Sequence, residues 1–183
     1  KQAIVFTLIC ICCYYSLQCY FLFVASFQYK LIVYNIPHHQ AIDLVKARKC
    51  LFIADSAMTV SGPLQNFYLK PSRILYRVNK TSELPAPTQN LKIFNAGNKS
   101  IVIINGPYKA EPNSLRFHVD IIILSGNPDI DISDLQKMAD FSKLIFDSSD
   151  SPWKINKWKT DCEKAGVACY SVGEKGAFIL NLN

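Results

Sequence analysis

Residues 2–29 carry no charge, in a chain that holds 20 Lys and Arg and 14 Asp and Glu over 183 residues. The stretch is apolar except for Gln2, Thr7, Ser16, Gln18, Ser26 and Gln28, and has no Pro or Gly to interrupt a helix. Crossing a bilayer takes about 20 residues at a rise of 1.5 Å each. Residues 3–24 therefore read as a transmembrane helix, with Tyr20, Tyr29 and Lys30 suited to its headgroup end. Two other readings exist. Val24-Ala25-Ser26 loosely resembles a signal-peptide cleavage site, but the apolar run is longer than such a leader's core. A buried core helix would be shorter and would keep a polar face. The chain opens at Lys1 without an initiator methionine, so the span is expected to be the last of a larger membrane protein. Cys10, Cys12, Cys13 and Cys19 lie inside it and read as small apolar residues.

The division falls at residues 29 and 30: a span at 1–29, then a soluble domain at 30–183. That second part carries 19 basic and 14 acidic residues, an ordinary balance for a folded domain of one core. Cys50, Cys162 and Cys169 are odd in number and do not fix a redox compartment.

Apolar runs at 31–36, 41–45 and 50–54, punctuated by Pro37 and a basic turn at 46–49, predict consecutive antiparallel strands. Residues 56–72 have weak helical or irregular character, 72–79 a short strand pattern, and 81–90 a loop with Pro85 and Pro87. Strands at 91–94 and 100–104 flank Asn95-Ala96-Gly97-Asn98, a hairpin signal, and 106–113 reads as a loop. Residues 119–124 are apolar apart from Asp120, the pattern of a strand buried on both faces. A turn at 125–131 leads to a helix at 134–141, with Ser133 as its cap, and a strand at 144–146. A helix at 152–165 opens on Pro152 and stops at Gly166. Strands at 167–172 and 177–182 close the chain. Mixed strands and crossover helices give an α/β layered domain.

The chemistry this sequence supports is limited. His38, His39 and His118 are its only histidines, at no metal-ligand spacing, and His38 and His39 would point oppositely in an extended segment. No Gly-x-Ser-x-Gly motif and no glycine-rich phosphate loop is present. Polar loops at 125–131 and 147–151 follow apolar strands, where open α/β sheets bind ligands. With the helix start that follows, they supply Ser125, Asp129, Asp131, Asp134, Asp147 and Asp150, with Asp55 after an earlier strand; their ordinary role is to make turns and caps. Helix 152–165 interleaves Lys154, Lys157 and Lys159 with Trp153 and Trp158. That pattern suits nucleic acid, against the plainer reading of a solvated basic face with Trp in the core.

Together these segments resemble the ComEC family of competence proteins, multispanning channels that carry single-stranded DNA across the bacterial inner membrane. The Bacteroidetes-type branch is most similar, through Phe146-Asp147-Ser148-Ser149-Asp150-Ser151-Pro152-Trp153-Lys154, Trp158-Lys159, Cys162 and Gly176-Ala177-Phe178. The resemblance covers nearly the whole chain. It implies a metallo-β-lactamase-like mixed-sheet sandwich, full-length or shortened, behind one transmembrane helix. The family's metal motifs are missing. Ser125-Gly126-Asn127-Pro128-Asp129-Ile130-Asp131 stands where a histidine-rich ligand loop belongs, and the Pro152-Trp153-Lys154 region replaces a late His. The domain is accordingly expected to be non-catalytic and to need no metal or other cofactor. Its expected partners are single-stranded DNA through Lys154, Lys157, Trp158 and Lys159, membrane lipid, and the remaining spans of the parent channel. The alternatives are a membrane-anchored nuclease or hydrolase using the Asp-rich loops, and a membrane-tethered interaction domain.

Overall fold

A computed structural model of the chain describes residues 1–59, 62–83, 90–106 and 117–182. Helix α1 (Gln2–Phe27) is a single unbroken helix, long and apolar enough to span a membrane. It stands off the rest of the molecule, with Ala25 its one buried residue.

Among the described residues ten strands follow, in two five-stranded mixed sheets. The first has the order β10-β1-β2-β3-β4, from β1 (Tyr29–Val33), β2 (Ala41–Lys46), β3 (Lys49–Ala54), β4 (Lys80–Glu83) and β10 (Phe178–Asn181). The second has the order β5-β6-β7-β8-β9, from β5 (Leu91–Ala96), β6 (Lys99–Asn105), β7 (Phe117–Ser125), β8 (Ala139–Phe146) and β9 (Ala168–Ser171). The predicted hairpins form: β1, β2 and β3 pair antiparallel, as do β5 and β6. Gly97 turns between β5 and β6 at φ +61°, where an added Cβ would run into the Leu182 carbonyl oxygen. Glycine is needed there both for the backbone angle and for the close approach. From β6 to β9 the pairing is parallel.

Period-2 alternation gives each central strand two apolar faces. Leu31, Val33, Ile42 and Ile53 of the first sheet share one core with Ile101, Ile103, Ile121, Ile123 and Ile145 of the second, so the sheets pack face to face. The outer face of the second sheet is covered by α4 (Ile132–Met138) and α5 (Pro152–Ala165), through Ile132, Leu135, Ile155, Trp158 and Cys162. The outer face of the first is covered by α2 (Ser56–Thr59), a π-helical turn (Gln65–Leu69) and α3 (Lys70–Leu75), over Ile32, Val45, Phe52, Met58 and Leu69. The result is four layers: helices, sheet, sheet, helices. A four-residue helix, α6 (Val172–Lys175), joins β9 to β10.

The strand expected at 72–79 is replaced by α3 and by β4 further on. Ile74, Tyr76 and Val78 alternate as a strand would, but a tertiary contact decides the matter. Arg73 reaches Asp43 with two hydrogen bonds of 2.9 Å, from Nε and Nη2. Asp43 is fully buried, and Tyr34 Oη donates to it at 3.0 Å. Burial alone would lower the Arg73 pKa, but the Asp43 carboxylate outweighs it and the net shift is upward. Burial, reinforced by the Asp43 charge, pushes the Tyr34 hydroxyl and the Cys50 thiol up. The helix expected at 134–141 begins earlier, with Asp131 rather than Ser133 at its cap, and ends at Met138, where β8 already begins. Helix α5 has the predicted bounds, with Gly166 left-handed at its end. Of the two predicted loops, 84–89 and 107–113 lie outside the described residues.

Candidate functional site

The parallel pairing of β6 to β9 brings the carboxyl ends of four strands to one edge. Asn105 is in register with Ser125, Leu124 with Phe146, and Phe146 with Ser171. Asp147 comes directly after Phe146. The same edge of the first sheet carries the β1–β2 turn and the end of β3, with Asn35, His39, Gln40 and Asp55. Cross-links join the two rims. Asn105 Nδ2 donates to Gln40 Oε1 at 3.2 Å, Ser148 Oγ donates to Asn35 Oδ1 at 2.7 Å, and the His38 amide donates to the Ser148 carbonyl at 2.9 Å.

Asp147 and Asp150 lie at the centre of this rim, both buried. Asp147 Oδ1 accepts from the Ser149 amide at 2.9 Å and from the Ser149 hydroxyl at 2.5 Å. Ser149 Oγ in turn accepts from the Gly126 amide at 2.7 Å and lies 3.1 Å from Ser125 Oγ. Asp150 Oδ1 accepts from the Asn127 amide at 2.8 Å. No donor among the described residues reaches Asp147 Oδ2, Asp150 Oδ2 or Ser171 Oγ. Desolvation is the main cause that raises both carboxyls. Asp147 is pushed up to about 6, against the pull of its serine hydrogen bonds and with a further rise from the Asp55 charge. Asp150 is pushed up to about 8, with Asp147 as the second cause. A cavity of about 330 Å³ opens beside them, lined by Asn35, His38, Asp150, Ile155 and Ser171 among others. Two of the unpartnered oxygens, on Asp150 and Ser171, therefore belong to residues of its wall.

These shifts have a consequence for stability. An unfolded Asp titrates near pH 3.9. Both folded values are higher, so between about pH 4 and pH 8 the native state holds more protons than the unfolded state, and stability falls as pH rises. Denaturant unfolding between pH 5 and pH 8 should show this decline, and Asp150→Asn should flatten it. A stability that is level or rising over that range in the unaltered protein would remove the buried-acid account.

Of the residues singled out from sequence, Asp55, Ser125, Asp147 and Asp150 come together here. Asp55 accepts from the Gln40 amide at 3.2 Å and the Met58 amide at 2.9 Å, and its Oδ2 lies 3.0 Å from His39 Nδ1. Asp129 and Asp131 do not join them. Asn127, at φ +58°, turns the chain away, Asp129 points to solvent, and Asp131 pairs with Lys157 at 2.6 Å. His38 and His39 sit in a tight turn rather than an extended segment, with His38 at φ +64°. His118, the second residue of β7, lies at the amino end of that strand, away from this rim. Asn127 and Ser149 complete the site; their loops are visible in the sequence, their convergence is not.

The proposed DNA-contacting helix divides differently. Trp158 is a core residue: its indole stacks on Phe146 at 5.5 Å and donates to the Ile130 carbonyl at 2.9 Å. Lys154 is largely covered and donates to the carbonyls of Asn127 and Pro128 at 2.9 and 3.0 Å. Lys157 and Lys159 stay at the surface, the latter paired with Glu174 at 2.8 Å. The exposed aromatic of the helix is Trp153.

The metal centre implied by the sequence resemblance needs imidazoles at this rim. His39 is already engaged with Asp55, and among the described residues no three His, Cys, Asp or Glu side chains converge as ligands. The residues present do not fit such a centre. A family model described as the ComEC C-terminal domain matches residues 31–182. No curated protein and no solved structure matches the chain.

Proposed function

Because the chain belongs to the ComEC C-terminal domain family, we propose that it is the C-terminal portion of a channel protein that takes up single-stranded DNA in natural competence. In this reading α1 is a span in the bacterial inner membrane, residues 30–183 are a soluble domain of metallo-β-lactamase-like descent, and that domain acts without catalysis. The observation that supports a non-catalytic role is the state of the rim. Among the described residues no three His, Cys, Asp or Glu side chains converge there as ligands, and His39 is tied to Asp55. A nuclease of the alternative kind would draw on Asp129 and Asp131, which lie away from Asp147.

DNA contact in this reading falls to Lys157, Lys159 and Trp153. Exposed ion pairs such as Lys157–Asp131 and Lys159–Glu174 contribute little and can be exchanged for phosphate. An exposed indole offers a stacking platform for a base. The full chain in detergent should bind a fluorescent single-stranded oligonucleotide, with an affinity that falls as salt is raised. Lys157→Gln together with Lys159→Gln should weaken binding and reduce the salt slope by roughly 0.7 for each phosphate no longer neutralised. Absence of binding at low salt would remove the DNA-contacting role. Metal-dependent cleavage of the oligonucleotide that Asp147→Asn abolishes would overturn the non-catalytic one.

A further inference from the structure

Helical residues 64–75 present an unusual outward face. Leu64, Phe67, Ile74 and Leu75 are 41, 74, 66 and 72 % exposed. On α3, exposed Pro71, Ile74 and Leu75 fall at i, i+3 and i+4, one α-helical face, and the π-helical turn before it leaves Leu64 and Phe67 exposed as well. The underside is already occupied: Leu69 is fully buried, Tyr68 and Tyr76 pack on the first sheet's outer core, and Arg73 reaches Asp43. The apolar stripe therefore has no partner among the described residues.

Its surroundings identify what would cover it. Residues 75–77 border the last turns of α1 across a groove of about 780 Å³, lined by Phe21, Phe27, Lys30, Leu75, Tyr76 and Arg77 among others. The stripe is thus continuous with the apolar surface of the helix long enough to span a membrane. Arg77 Nη1 donates to Gln18 Oε1 at 3.0 Å, and its guanidinium lies 5.4 Å from the Phe21 ring centre. A guanidinium is costly in hydrocarbon, so this contact marks the headgroup level on α1. Lys30 stands in the same groove, bonded to Asn181 Oδ1 and 5.4 Å from the Tyr76 ring centre. The sequence from 56 to 82 holds Lys70, Arg73, Arg77 and Lys80 and no acidic residue. With Arg73 turned inward to Asp43, an apolar stripe flanked by Lys70, Arg77 and Lys80 suits an anionic lipid surface.

We propose that the outward face of residues 64–75 docks into the headgroup–acyl boundary of an anionic bilayer, beside the point where α1 enters it. This rests on reading α1 as a span. The domain is then held at two places, by the span and by this face.

The test uses the full chain in vesicles of phosphatidylcholine and phosphatidylglycerol that contain brominated lipids. Phe67→Trp and Ile74→Trp, each in a Trp153→Phe background, report on the face, and Ile9→Trp, about nine residues from the Gln18 level, reports on the middle of α1. The signal of the background variant, which retains buried Trp158, is subtracted. The new indoles at 67 and 74 should be quenched most by bromines high on the acyl chain, at a depth of about 5–10 Å. That at 9 should be quenched by bromines near the chain ends. Leaving out phosphatidylglycerol should reduce quenching at 67 and 74 and leave that at 9 unchanged. Quenching at 9 with none at 67 or 74 would overturn the docking and leave the span reading intact; quenching at none of the three would overturn both. Quenching at 67 and 74 that ignores phosphatidylglycerol would overturn the anionic surface as the partner.

Discussion

Arg73→Met should destabilise the protein by about 3–5 kcal/mol, the usual cost of leaving one member of a buried ion pair without its partner. Asp43 is fully buried, and its two strongest donors are Arg73 Nε and Nη2. Tyr34 Oη would remain beside the carboxylate. Removing the charge as well, in Asp43→Leu with Arg73→Met, should recover much of the loss, since a buried pair is often replaceable by apolar packing. Urea unfolding of the full chain in detergent, followed by near-ultraviolet circular dichroism, would measure both. A cost for Arg73→Met within the roughly 0.5 kcal/mol of an ordinary surface change would sink the account. Losing the pair should also loosen the 64–75 segment, because Arg73 anchors it to the sheet. The membrane-facing stripe thus depends on a contact on the opposite side of its own helix.

Trp158→Ala should cost about 3–5 kcal/mol, the range for emptying a large aromatic site in a core. Its indole fills the space between α5 and the second sheet, stacks on Phe146 and satisfies the Ile130 carbonyl. Trp153→Ala, on the solvent side of the same helix, should change stability by less than about 0.5 kcal/mol. For binding the order reverses. If a base stacks on Trp153, its removal should weaken single-stranded DNA binding by about 1–3 kcal/mol. A comparable stability loss in the two variants would mean that the helix packs differently from the arrangement described.

This pair of tryptophans shows how much of the site is legible in the sequence. Ile155, Trp158 and Cys162 fall at i, i+3 and i+7, which is already a core stripe, and Trp153 falls off it. That spacing separates the two indoles; the interleaving of Lys with Trp does not. Helix α5 itself is readable from Pro152 and Gly166, and β7 from its unbroken apolar run, because those signals are local. The 72–79 segment is not, because Asp43 lies 30 residues away in sequence and no local pattern contains it. The same reason separates the site residues. Asp55, Ser125 and Asp147 each sit at or just past the end of an apolar strand, a position that the sequence marks. That Asp150 is buried beside Asp147, while Asp129 from an equally acidic loop faces water, depends on how Asn127 turns and on which backbone amides come within reach. Nor does the order of strands along the chain show that β10 returns to β1 and so divides ten strands evenly between two sheets.

That return has a consequence for how the molecule is made. Strand β1 leaves α1 almost at once, yet one of its two neighbours is β10; Lys30 and Asn181, 151 residues apart, lie opposite each other. During synthesis β1 emerges about 150 residues before its partner β10 and waits, with one row of backbone amides and carbonyls open, until residues 178–181 have been translated. Closing so long a loop is entropically slow. The nascent domain therefore carries an unpaired strand edge next to α1 for most of its assembly, and the interval before β10 arrives is when mispairing with another chain is most to be expected.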